Sequence, residues 1–108
     1  MPTIAIGETV AICDSTGEHI GDFRIYDSRI GAWLGTFCPM PAYDRVRHLF
    51  TKHTELVTTQ SLEFIDEAKE KIAALGLWAR IGSDRLEIRD VQLYEGADGI
   101  GGSFRQVV

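Results

Sequence analysis

Three side chains near the middle of the sequence have the types and spacing for nucleophilic chemistry: Cys38, Asp44 and His48. A thiol needs a base to become a thiolate, and an imidazole serves best when a carboxylate orients it. Asp44 lies four residues before His48, so on a helix the two share a face. Cys38 sits where a strand should end beside a helix start, a position that can lower a thiol pKa. Yet no local signature of a known cysteine enzyme surrounds Cys38. The plainer reading is a small apolar residue ending a strand, next to a surface Asp–His pair. A cysteine-dependent hydrolase or transferase is therefore only a third reading, and the chain reads as non-catalytic.

Other catalytic or cofactor patterns are weaker. His48 and His53 are five residues apart, about 140° around a helix axis, so they cannot share an ion as His-x-x-x-His does. His53 falls within an apolar stripe and reads as a core or boundary histidine. With no Cys-x-x-Cys or His-Glu-x-x-His pattern, no metal is expected. Gly99-Ile100-Gly101-Gly102-Ser103 follows no βαβ unit and opens no helix, so it is not a phosphate loop. It reads as an Asp98-Gly99 hairpin turn leading into a glycine-rich strand. No cofactor is expected.

Aromatic residues offer the better clues. Trp33, Gly35 and Phe37 alternate along one segment, and Tyr43 follows at a helix start. Glycine within a strand marks a bend or a close approach. Either a neighbouring aromatic such as Phe23 crosses Gly35, which is the favoured reading, or a ligand does. Trp33, Gly35, Phe37 and Tyr43 are thus the candidate binding residues, in a pocket between sheet and helices. Tyr26 and Trp78 sit opposite the apparent core faces of their strands, which makes them candidate interface residues.

Positioning these groups requires the following elements. Alternation predicts strands at 9–14, 19–27 and 32–38, an antiparallel meander with short Gly- and Ser-containing turns. In the second strand, Phe23 and Ile25 take one face, and Ile20, Asp22, Arg24 and Tyr26 the other. Ile4 and Ile6 could add a short edge strand. Pro41 suits the first position of a helix over roughly 42–56, with a stripe through Tyr43, Val46, Leu49, Phe50, His53 and Leu56 or Val57. A second helix follows Thr59 or Ser61, with Leu62, Ile65, Ala68, Ile72 and Leu75 apolar, and ends at Gly76. Leu77, Ala79 and Ile81 begin a second set of strands. There Leu86 and Ile88 occupy even positions but Val91 and Leu93 odd ones, which predicts a bulge or bend near Arg89-Asp90. Residues 100–107 form the last strand.

Residues 1–108 thus read as one α+β domain: an antiparallel sheet of five to six strands, in βββ-αα-βββ order, curled over two helices. The junction Gly35-Thr36-Phe37-Cys38-Pro39-Met40-Pro41-Ala42-Tyr43 and the link Ile72-Ala73-Ala74-Leu75-Gly76-Leu77 resemble short bacterial hypothetical proteins. Those share a Trp-x-Gly-x-Phe-x-Pro strand end and a Pro-Ala-aromatic helix start. The resemblance implies a compact intracellular domain and carries over no functional residue.

Composition narrows the partners. The net charge of −5 and pI near 5.1 argue against nucleic acid, which calls for a basic face. No apolar run approaches the roughly 18–20 residues that span a bilayer, and no secretory leader stands out. A cytoplasmic protein with Cys13 and Cys38 as free thiols is expected. The leading expectation is a binding or protein-interaction domain, homodimeric through an outer sheet face or an exposed edge strand. A small-molecule binder is the first alternative.

Overall fold

A computed structural model describes residues 4–107. It contains β1 (Thr9–Cys13), β2 (His19–Arg29) and β3 (Ala32–Pro39), then a 3₁₀ turn (Pro41–Arg45). Next come α1 (Arg47–Thr58), α2 (Leu62–Ala73), β4 (Trp78–Ile81), β5 (Asp84–Gly96) and β6 (Gly99–Gln106). The fold is α+β, all neighbouring strands are antiparallel, and the order is βββ-αα-βββ. The sheet does more than curl. Its strands run β1-β2-β3-β6-β5-β4, and β4 pairs back onto β1 through Ala11–Arg80, Ile12–Ala79 and Cys13–Trp78. Closure into a barrel pairs every strand on both sides, so the exposed edge anticipated for a second copy does not exist among the described strands. Nor do Ile4 and Ile6 form an edge strand. The chain turns there instead, with Gly7 at φ 93° donating its N–H to the Ile25 carbonyl at 2.8 Å.

Three bulges bend the strands enough to close. In β5, Arg89 pairs with Arg105 and Gln92 with Ser103, so Asp90 and Val91 together oppose Phe104 alone. Asp90 absorbs the extra residue at φ 53°. This is the phase change anticipated near Arg89-Asp90, and it lets Leu86, Ile88, Val91 and Leu93 all face inward. In β2, Tyr26 is the extra residue between the Ile25–Gly35 and Asp27–Leu34 pairs. A third bulge at Ile20, opposite Ile12 and Cys13, turns that side chain into the core. Ile20 therefore does not share the outer face of Asp22, Arg24 and Tyr26, because strict alternation fails where a residue is inserted.

The helices close the core. Phe37, Tyr43 and Phe50 form a chain of rings at 5.0 and 6.0 Å that carries the barrel interior into α1. The helix expected at 42–56 is split, because the stretch starting at Pro41 winds as a 3₁₀ turn and the α-helix proper starts only after Val46. α1 buries Phe50, His53 and Leu56, and α2 buries Ala68 and Ile72. Leu62, read as part of the second stripe, stays exposed in the first turn of α2. Gly76 takes the left-handed conformation (φ 62°) after α2, as its place at the helix end requires.

Candidate functional site

The residues singled out for nucleophilic chemistry stand apart. Cys38 is exposed rather than buried, and Asp44 pairs with Arg47 at 3.3 Å, not with His48. Among the described residues no hydrogen bond joins Cys38, Asp44 and His48. His48 lies on the exposed side of α1, in a groove against α2. No group of His, Cys, Asp or Glu suited to a metal ion occurs among the described residues.

The aromatic set is largely core. Phe37 and Tyr43 are buried, and the Phe23 ring lies across Gly35, where a β-carbon would meet it. Trp33 is half-buried and packs on the core from its edge. None of Trp33, Gly35, Phe37 and Tyr43 lines either of the two cavities described below. Tyr26 projects outward from its bulge. Trp78 is held in place: its indole N–H donates to the Asp14 carbonyl at 2.8 Å and the Arg85 guanidinium stacks on its ring at 4.5 Å.

The larger cavity opens elsewhere, where α2 meets β5. It encloses about 640 Å³, bounded by His53 of α1, Lys69, Ile72 and Ala73 of α2, and the β5 segment through the bulge. His53 is 3% exposed, and its Nε2 has no hydrogen-bond partner. Burial, aided by the Lys69 ammonium, lowers its pKa below the usual imidazole value. A neutral imidazole offers one donor and one acceptor nitrogen, so Nε2 can serve a bound group in either sense. A buried polar atom without a partner costs roughly 1–3 kcal/mol, which a ligand can recover.

Charge concentrates at this cleft. Lys69, Arg85, Arg89 and Arg105 line it against two carboxylates, Glu87 and Asp90, in a chain that is acidic overall. Arg85 is engaged by Glu87 at 2.8 Å. Arg105 donates to the Ile30 carbonyl at 2.7 Å and lies 3.9 Å from Asp90. The sequence reading did not find this site, since its cations come from α2, β5 and β6. The one signal that pointed there was the phase change in β5, because bulges gather next to functional sites.

A second, smaller groove of about 400 Å³ runs between α1 and α2 on the outside, lined by Leu49, Leu56, Phe64 and Ala68 with His48, Lys52, Glu67 and Lys71. No helix among the described residues is long and apolar enough to cross a membrane. No protein-family model matches the sequence, and neither the curated proteins nor the solved structures give a significant match.

Proposed function

We propose that this chain is a non-catalytic small-molecule-binding domain whose ligand lies in the cleft between α2 and β5. The observation that supports this reading is His53, a buried imidazole with an unpartnered Nε2, which borders a cleft large enough for a small organic molecule. Catalysis is not part of the reading, because Cys38, His48 and Asp44 do not converge. The test is a fragment screen by NMR on the labelled protein, followed through the His53 ring resonances. Hits should move those resonances and lose affinity in Ala73→Trp, which fills the cleft from an exposed position. Screening that never perturbs His53 removes the proposal.

A second reading is self-association through the helices. Phe64 lines the outer groove and is exposed, as are Val57 and Leu62 on the same two helices, apolar groups that a second copy could cover. The homodimer anticipated through the sheet is better placed there, since closure leaves no strand edge to pair. Light scattering should then show a dimer that Phe64→Asp converts to monomer. A monomer for the unmodified protein at high micromolar concentration ends this reading.

A further inference from the structure

We infer that the ligand of this cleft is a small organic anion, whose carboxylate or phosphate is taken by Arg89 and Arg105. The inference rests on the small-molecule reading above and adds the chemical class.

Arg89 and Arg105 are direct partners across the β5–β6 ladder, at the last regular pair before the bulge. Like charges placed directly opposite each other destabilise a sheet. The carboxylate nearest both is Asp90, at 4.0 Å from Arg89 Nη1 and 3.9 Å from Arg105 Nε, too far for a hydrogen bond to either. The Arg89 side chain makes no hydrogen bond among the described residues, and Lys69, on the α2 side of the cleft, has no ion pair there. Apart from the Arg105 Nη1 bond to the Ile30 carbonyl, the two guanidiniums, each within 4.0 Å of the same Asp90 oxygen, keep their donors free. Such a pair matches the planar, bidentate geometry of a carboxylate or phosphate.

The second observation is independent of these charges. His53 is nine-tenths buried or more and borders the same cleft. The ligand thus carries an oxyanion at the exposed mouth and a body that reaches inward past Ile72 and Val91. A hydroxyl, carbonyl or amide on that body comes against His53 and reaches its enclosed Nε2 by a small shift of the ring. Inorganic phosphate alone satisfies the arginines but not the imidazole, and so binds more weakly than an organic anion of the same charge.

The test titrates the full chain with benzoate, phenyl phosphate, inorganic phosphate and uncharged benzamide, following the His53 and Arg89 side-chain resonances. Benzoate or phenyl phosphate should shift both sets at millimolar concentration. Their affinity should fall about tenfold or more in Arg89→Gln, as loss of a charge-assisted contact implies. It should also weaken with added salt. Which of the two binds tighter distinguishes carboxylate from phosphate. Benzamide binding as well as benzoate, with His53 perturbed, overturns the anion assignment but leaves the cleft reading standing. So does benzoate binding that Arg89→Gln leaves unchanged. If no probe moves His53, both the anion assignment and the cleft reading fail. Arg89 is exposed, so the variant should fold, and an unchanged melting temperature checks that it does.

Discussion

Gly35 and Gly102 face each other across the β3–β6 ladder, and the Phe23 ring lies over both. A β-carbon on Gly35 would collide with the Arg24 carbonyl as well as with Phe23, and one on Gly102 with the Gln92 carbonyl. Backbone oxygens cannot rotate away as a side chain can, so the two glycines are required by packing. Gly35→Ala should cost about 1–3 kcal/mol, as overpacked core substitutions do. Gly101→Ala, next to Gly102 in β6, meets nothing nearer than 4.0 Å and should change stability by under about 0.5 kcal/mol. Urea unfolding of the two variants measures the contrast, and equal losses would contradict it.

Asp90 holds the β5 bulge at a positive φ that favours glycine and tolerates Asp or Asn. Asp90→Gly should therefore match or exceed the parent in stability. Asp90→Val should lose about 1–2 kcal/mol, the cost of a left-handed conformation for a branched side chain. Deleting residue 90 is more severe: it restores strict alternation, so Val91 and Leu93 still face inward, but it removes the bend that helps the sheet close. Thermal melts of the three variants should rank in that order.

How far the sequence could be read follows from which contacts are local. The bulge was legible because Leu86, Ile88, Val91 and Leu93 carry their own phase record within one strand. The strand and helix order was legible in the same way. Barrel closure was not, because β1–β4 and β3–β6 join segments that are far apart in sequence and no alternation pattern encodes which strands meet. The bulges at Ile20 and Tyr26 were missed because one flank of each, His19 before Ile20 and Asp27-Ser28-Arg29 after Tyr26, carries no apolar residue to record a phase. The cleft was hidden for a related reason. Lys69, Arg89 and Arg105 look like ordinary solvated charges until α2, β5 and β6 are brought together, and His53 reads as core because it is buried.

The two cysteines should separate cleanly. Cys38 is exposed, whereas Cys13 is buried and its thiol pKa is raised, chiefly by burial. One thiol should react with Ellman's reagent in the native protein, and the second only after unfolding. Cys38→Ser should shift stability by under about 0.5 kcal/mol, as exposed substitutions do. A Cys38 that reacts with iodoacetamide far faster than a free thiol would restore the cysteine-nucleophile reading.

Tyr43 is fully buried, yet its hydroxyl has no hydrogen-bond partner. Burial, with Glu95 nearby, pushes its pKa up to about 12. The ring does the packing between Phe37 and Phe50, and the hydroxyl adds an uncompensated desolvation cost. Tyr43→Phe keeps the ring and removes that cost, so it should leave stability unchanged or raise it by about 1 kcal/mol. A loss of more than about 1 kcal/mol would mean that the hydroxyl has a partner in solution. Urea unfolding of the variant decides this.

His53 makes the fold sensitive to acid. Its folded pKa lies below the usual imidazole value, first through burial and then through Lys69. Between that lowered value and about 6.5, the unfolded chain binds more protons than the folded one, so stability rises with pH in this window. The contribution is complete above about pH 6.5, shrinks as pH falls, and stops changing once the folded imidazole also protonates. His53→Phe fills the same space without a titrating nitrogen. Its urea midpoint should fall less than that of the unmodified protein between about pH 7.5 and pH 5, because only the other groups still contribute. Carboxylates titrate in both proteins alike, so the difference between the two curves isolates the imidazole. Parallel curves would show that His53 is not held neutral by the fold. The free Nε2 would then no longer support a ligand in the cleft.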